Sequence, residues 1–210
     1  MDKLRLKFRK TGRAVYMSHL DLMRTMQRVF TRAGVPLKYS EGFNPHAKIS
    51  IILPLTVGTH SECEYMDFAL KEDWDLAALP GQLNRFMPEG IEALEAYEAP
   101  EKGAQLRWLH ITGRMSGEHD AAFYREFYAQ PEILIKRRGK KGERVDDIVP
   151  AIGRAEFTDI PGGVAADLVL HAQEPTLSPD AMISALGEDA PSYNVFTRAE
   201  AFREDMTPFR

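Results

Sequence analysis

Stretches of two-residue periodicity alternate along this chain with stretches of helical periodicity, in the order strand, helix, strand, strand, helix, strand, and that order occurs twice. Leu4, Leu6 and Phe8 alternate with Arg5, Lys7 and Arg9, the pattern of a half-buried strand. A helix is expected over Leu20–Ala33, with an apolar stripe of Leu22, Met26, Val29, Phe30 and Ala33. Gly34 and Pro36 would stop it. Strands are expected at Ile49–Leu53, Glu64–Leu70 and Ile91–Tyr97, with a second helix over Leu76–Phe86.

The second half repeats the order less clearly. Leu106–Thr112 reads as a strand and His119–Ala129 as a helix ended by Pro131. Ile133, Leu134 and Ile135 start a strand that runs into a charged segment. Val164–His171 is a strand after the turn at Pro161-Gly162-Gly163. A helix opens at Ser178-Pro179 and closes at Gly187, and Tyr193–Phe202 is the last strand. The expected fold class is α+β, two tandem ferredoxin-like (β-α-β-β-α-β) units with antiparallel sheets. The first would occupy residues 1–99, a linker 100–105, and the more divergent second unit 106–210.

Charge follows the same division. Residues 1–50 carry eleven Lys/Arg against three Asp/Glu, a local net of +8, and residues 51–105 a net of −8. The next two blocks, 106–154 and 155–210, are +3 and −7, within a chain of net charge −4. A basic face on an acidic protein suggests an anionic partner, because local charge sets the field a ligand meets.

Other classes are disfavoured. No apolar run approaches the roughly 20 residues that span a bilayer, and Met1–Arg5 has no signal-peptide character. With one cysteine, Cys63, the chain forms no internal disulfide, no thiolate-held iron–sulfur cluster and no Cys-based zinc site of its own. A cytoplasmic protein is expected.

Two dense polar motifs lie in the basic block. Ser18-His19-Leu20-Asp21 has the capping-box form at the start of the first helix, with Ser18 accepting from the residue 21 amide and Asp21 reaching back. The cap does not explain His19. Gly42–Ser50 is more than a turn: Gly42 and Asn44-Pro45 bend the chain, and Phe43 would anchor the loop in the core or stack on a ligand. Asn44, His46 and Lys48 add an amide, a titratable group and a cation.

Three basic surfaces are expected. Arg5, Lys7 and Arg9 share one strand face, which would be the open sheet face on which modules of this fold hold RNA. Arg24, Arg28 and Arg32 form a stripe on the first helix, and their repulsion would be relieved by RNA or, the favoured partner, by the chain's own acidic blocks. The segment from Lys136 to Arg144 reads as a basic hairpin tip or loop that reaches phosphates without reading sequence. The candidate nucleic-acid contacts are therefore Arg5, Lys7, Arg9, Arg13, Lys38, Asn44, Lys48, Arg137, Arg138, Lys140 and Lys141. Phe43 and His46 are candidates for contact with a protein partner.

Lys10-Thr11-Gly12-Arg13, Ser18-His19-Leu20-Asp21-Leu22, Tyr39–His46 and Pro54-Leu55-Thr56-Val57-Gly58 resemble the bacterial radical SAM-linked family, a domain of unknown function found alone or fused to cobalamin-binding radical-SAM proteins. The resemblance covers most of the chain, with Lys136–Asp146 as a weaker signature and Thr56 where proline is common. It implies an accessory protein with no cofactor of its own. A partner radical-SAM enzyme would carry the iron–sulfur cluster, S-adenosylmethionine and cobalamin. Family members tend to lie beside genes for RNA processing and ribosomal proteins, which points to RNA.

The leading expectation is a radical SAM-associated accessory protein that binds RNA or an RNA-containing complex and has no catalytic activity of its own. One rival is a protein-interaction module that docks the radical-SAM enzyme directly. Another is a metal-independent ribonuclease in which His19 and His46 act as acid and base and Lys48 stabilises the phosphorane. A metal site from His19, His46, His60 and Asp21 is disfavoured, because no H-x-x-x-H spacing supports it.

Overall fold

The computed structural model describes residues 4–139 and 142–210, and only the backbone of 138 and 139. The chain divides into two compact units, residues 1–103 together with Arg210, and residues 104–209. Both are mixed α+β with antiparallel strand pairing. No described helix is long and apolar enough to cross a membrane.

In the first unit the elements run β1 (Leu4–Lys10), α1 (His19–Arg32), β2 (Ile49–Ile52), β3 (His60–Phe68), α2 (Leu79–Asn84) and β4 (Ile91–Glu98). The strands lie in the order β4-β1-β3-β2. Leu6 and Phe8 of β1 turn into the core, where they join Leu22, Met26, Val29 and Phe30 from the apolar stripe of α1. Phe30 meets Phe68 of β3 edge to face, with ring centroids 5.2 Å apart. The amide of Val35 bonds back to the Phe30 carbonyl at 3.0 Å, and Gly34, at φ +72°, supplies the left-handed residue that closes the helix.

The second helix is shorter than its apolar spacing predicts. The Asp75 carboxylate accepts from the amides of Ala77 and Ala78 and holds that stretch as a turn ahead of the helix. Asn84 then pins β4, donating to the Ala93 carbonyl at 2.9 Å and accepting from its amide at 2.7 Å. The Gln82 side chain donates to the Ala33 carbonyl, which ties α2 to the end of α1.

The second unit contains β5 (Trp108–Ser116), α3 (Ala121–Tyr128), β6 (Leu134–Gly139), β7 (Gly142–Asp147), β8 (Ile152–Ile160), β9 (Gly163–His171), α4 (Pro179–Ser184) and β10 (Tyr193–Phe202). Its sheet order is β10-β5-β9-β8. The strand expected from Ile133 is instead the first arm of a separate two-stranded ribbon, β6–β7. The sheet strand in that position is β8, which the sequence reading missed. Only Phe157 of β8 is fully buried while Arg154, Glu156 and Asp159 are exposed, so the strand carries almost no apolar alternation. Ser178 caps α4 as expected, accepting from the Ala181 amide at 3.2 Å.

Candidate nucleic-acid interface

The basic residues of β1 are already paired inside the first unit. Arg5 is 0% exposed. Its guanidinium grips Asp67 with Nε–Oδ1 at 2.7 Å and Nη2–Oδ2 at 3.3 Å, and donates to the carbonyls of Glu101 (2.9 Å) and Arg210 (2.6 Å). A buried guanidinium needs this degree of satisfaction, since an uncompensated charge in the interior is very costly. Arg9 pairs with Glu92, its cross-strand neighbour on β4, and lies 3.7 Å from Glu62. The Lys7 Nζ sits 5.7 Å from the ring centre of its cross-strand neighbour Tyr65. The strand face is therefore not an open basic surface. Antiparallel register sets carboxylates of β3 and β4 directly opposite the β1 cations.

Lys10, on the same strand, is 2% exposed and donates to the carbonyls of Met17 (2.9 Å) and Val15 (3.3 Å). Burial lowers its pKa, against the opposing field of Glu64. Beside it the Thr11 amide donates to the Gly90 carbonyl at 2.7 Å. Lys10 and Thr11 thus brace the turn over Gly12–Tyr16, on which Arg13 stands exposed.

The first helix shows the opposite balance. Ser18 caps it: the Asp21 amide donates to Ser18 Oγ at 3.2 Å. Asp21 reaches back to the Ser18 hydroxyl, which donates to Oδ2 at 2.7 Å. His19 is exposed in the first turn. Of the stripe, Arg24 has one exposed ion pair, with Asp21 at 3.5 Å. Arg28 and Arg32 have no ion pair among the described residues, so the neutralisation expected from the acidic blocks does not occur there. Of the acidic residues, Asp67, Glu62 and Glu92 are engaged by Arg5 and Arg9 of β1.

Arg28 and Arg32 line a groove of about 420 Å3 with Thr25 and Val29 of α1 and the segment Arg85–Pro88 that follows α2. Arg85 is exposed and also has no ion pair, and Phe86 is 38% exposed. Sequence reasoning missed Arg85 and Phe86. The available signal was their position at the end of the helix that neighbours α1.

Residues 39–47 form a hairpin beyond the ends of β2 and β3. Tyr39 bridges Ala47, the Ser40 amide donates to the His46 carbonyl at 2.8 Å, and the His46 amide donates to Ser40 Oγ at 2.9 Å. Gln27 of α1 donates to the Tyr39 hydroxyl at 3.1 Å. Phe43 is fully exposed and does not anchor the loop in the core. Asn44, His46 and Lys48 are exposed, and Lys38 is half-buried.

His19 and His46 are carried by elements that leave the sheet at opposite ends. His19 follows Lys10, which pairs with Ser61 at the start of β3. The hairpin begins where the Ala69 amide bonds the Lys48 carbonyl, just past the end of β3. Nine strand residues, about 30 Å, separate those ends. The structure does not bring the two histidines together as an acid–base pair. His60 is half-buried at the start of β3, and no group of three metal-ligating side chains occurs among the described residues.

In the second unit the basic segment is partly self-neutralised. Arg137 donates to the Thr176 carbonyl at 2.8 Å, and its Nε lies 3.6 Å from Asp146. Arg144 pairs with the same carboxylate at 2.9 Å. The Arg138 side chain, Lys140 and Lys141 lie outside the described residues.

The family model described as "uncharacterized protein conserved in bacteria" (DUF2344) matches residues 3–179, a span that starts at β1 and reaches the first residue of α4. No curated protein matches the chain.

Proposed function

The chain belongs to this family of uncharacterized bacterial proteins, and we propose that it is a cytoplasmic accessory protein that binds RNA, or an RNA-containing complex, alongside a radical-SAM enzyme. That enzyme would carry the iron–sulfur cluster, S-adenosylmethionine and cobalamin. The radical-SAM link rests on the motif resemblance. We read both units as ferredoxin-like, supported by the parallel strand orders β4-β1-β3-β2 and β10-β5-β9-β8, with β6–β7 as an insertion.

One observation carries the RNA reading. Arg28, Arg32 and Arg85 stand exposed on one surface with no carboxylate partner among the described residues, in a chain whose other basic face is neutralised. Cations left unpaired in this way bind phosphate and release its counterions. The test is a titration of fluorescent unstructured RNA with the full chain at low salt. Saturable binding that weakens steeply with salt supports the reading, and no measurable binding at low salt overturns it.

A second reading has its own observation, the fully exposed Phe43 at the tip of the 39–47 hairpin. Apolar side chains held out on a defined loop are typical anchors for protein partners. Capture of the radical-SAM subunit that survives nuclease treatment and is lost on Phe43→Ala favours direct docking without RNA.

A further inference from the structure

We infer that the groove between α1 and the segment after α2 holds an unpaired nucleotide, so that RNA is bound there as a single strand. The inference rests on the RNA reading above and specifies the form of the ligand. The groove joins two chemistries. Arg28, Arg32 and Arg85 supply guanidinium groups, and Phe86 adds a partly exposed ring next in sequence to one of them. An exposed aromatic ring amid unpaired arginines gains little from packing, but it offers a face for a base while the arginines hold the adjoining phosphate.

Dimensions favour one strand. About 420 Å3 lies in the range of small-ligand clefts and far below the bulk of a duplex. Arg24, Arg28 and Arg32 recur every four residues, about 6 Å along the helix axis. That repeat suits successive phosphates of one strand lying along α1. A base-paired helix keeps its base faces stacked inside, so it could meet the arginines and leave Phe86 without a partner.

The experiment compares an unstructured RNA strand with the same strand annealed to its complement, using the full chain, wild type, Phe86→Ala and Phe86→Tyr. The single strand is expected to bind wild type more tightly than the duplex. Phe86→Ala should weaken single-strand binding about five- to a hundredfold and leave duplex binding and the salt dependence unchanged. Phe86→Tyr, which keeps the ring, should bind as wild type. Equal affinity for strand and duplex, or an unaffected Phe86→Ala, would overturn this inference and leave the RNA reading standing. Displacement of the strand by polyglutamate as readily as by unlabelled RNA would also overturn it, because the groove would then accept any polyanion. No binding of either RNA at low salt would remove both.

Discussion

Arg5 and Asp67 face each other across β1 and β3, and the guanidinium of one holds both carboxylate oxygens of the other in the interior of the first unit. Removing one partner leaves an uncompensated buried charge. Asp67→Ala and Arg5→Met are each expected to destabilise the chain by about 3–5 kcal/mol. The double variant Arg5→Met/Asp67→Leu should lose much less than the sum, because both charges leave together. Urea unfolding of the three variants checks this. Additive losses would show that the two side chains do not act as a pair.

Much of the first unit was legible in the sequence. The alternation of Leu4, Leu6 and Phe8, the stripe of α1, the Ser18 cap and the Gly34 stop are local signals, and each corresponds to an element that formed. What could not be read was which charges meet. Arg5, Arg9 and the α1 arginines look alike in sequence, and the acidic block after them offers partners to all. Strand register decides the matter for β1, setting Asp67 opposite Arg5 and Glu92 opposite Arg9, whereas Arg28 has no ion pair among the described residues. The strand β8 escaped for a related reason. An edge strand with one buried Phe157 lacks the apolar period that marks a strand.

Gly90 should tolerate no side chain. It stands at φ +87°, and a Cβ there would lie 2.3 Å from the Thr11 carbonyl oxygen. The same two residues are joined by the Thr11 amide bond to the Gly90 carbonyl. Gly90→Ala is expected to cost about 2 kcal/mol or more, through backbone strain and displacement of the turn that Lys10 braces. Thermal melting checks it, and an unchanged midpoint would contradict the tight contact.

Tyr97 should shape stability in alkali. Burial pushes its phenol up to about 12, with the nearby Arg5 acting in the opposite direction. The folded state therefore keeps the proton at pH values where the unfolded state, at about 10, has lost it. Its contribution is fully present below pH 10 and is lost as pH rises from 10 through about 12. Tyr97→Phe should flatten that decline. Its buried hydroxyl has no hydrogen-bond partner among the described residues, so the variant should also gain about 1 kcal/mol at pH 7. Denaturant midpoints across pH 7–12 give both quantities. A decline as steep in Tyr97→Phe as in wild type would assign the effect to other groups.

Arg5 and Arg9 of β1 are held by the protein's own carboxylates, and Arg28 and Arg32 of α1 remain for RNA. The most direct test is the salt dependence of single-stranded RNA binding by wild type, Arg28→Gln/Arg32→Gln and Arg9→Gln. Each phosphate contact on a single strand contributes about 0.7 to the slope of log affinity against log salt. The double α1 variant is predicted to lose about 1.4 from that slope, and Arg9→Gln to leave it unchanged. A slope that falls in Arg9→Gln and holds in Arg28→Gln/Arg32→Gln would contradict the account.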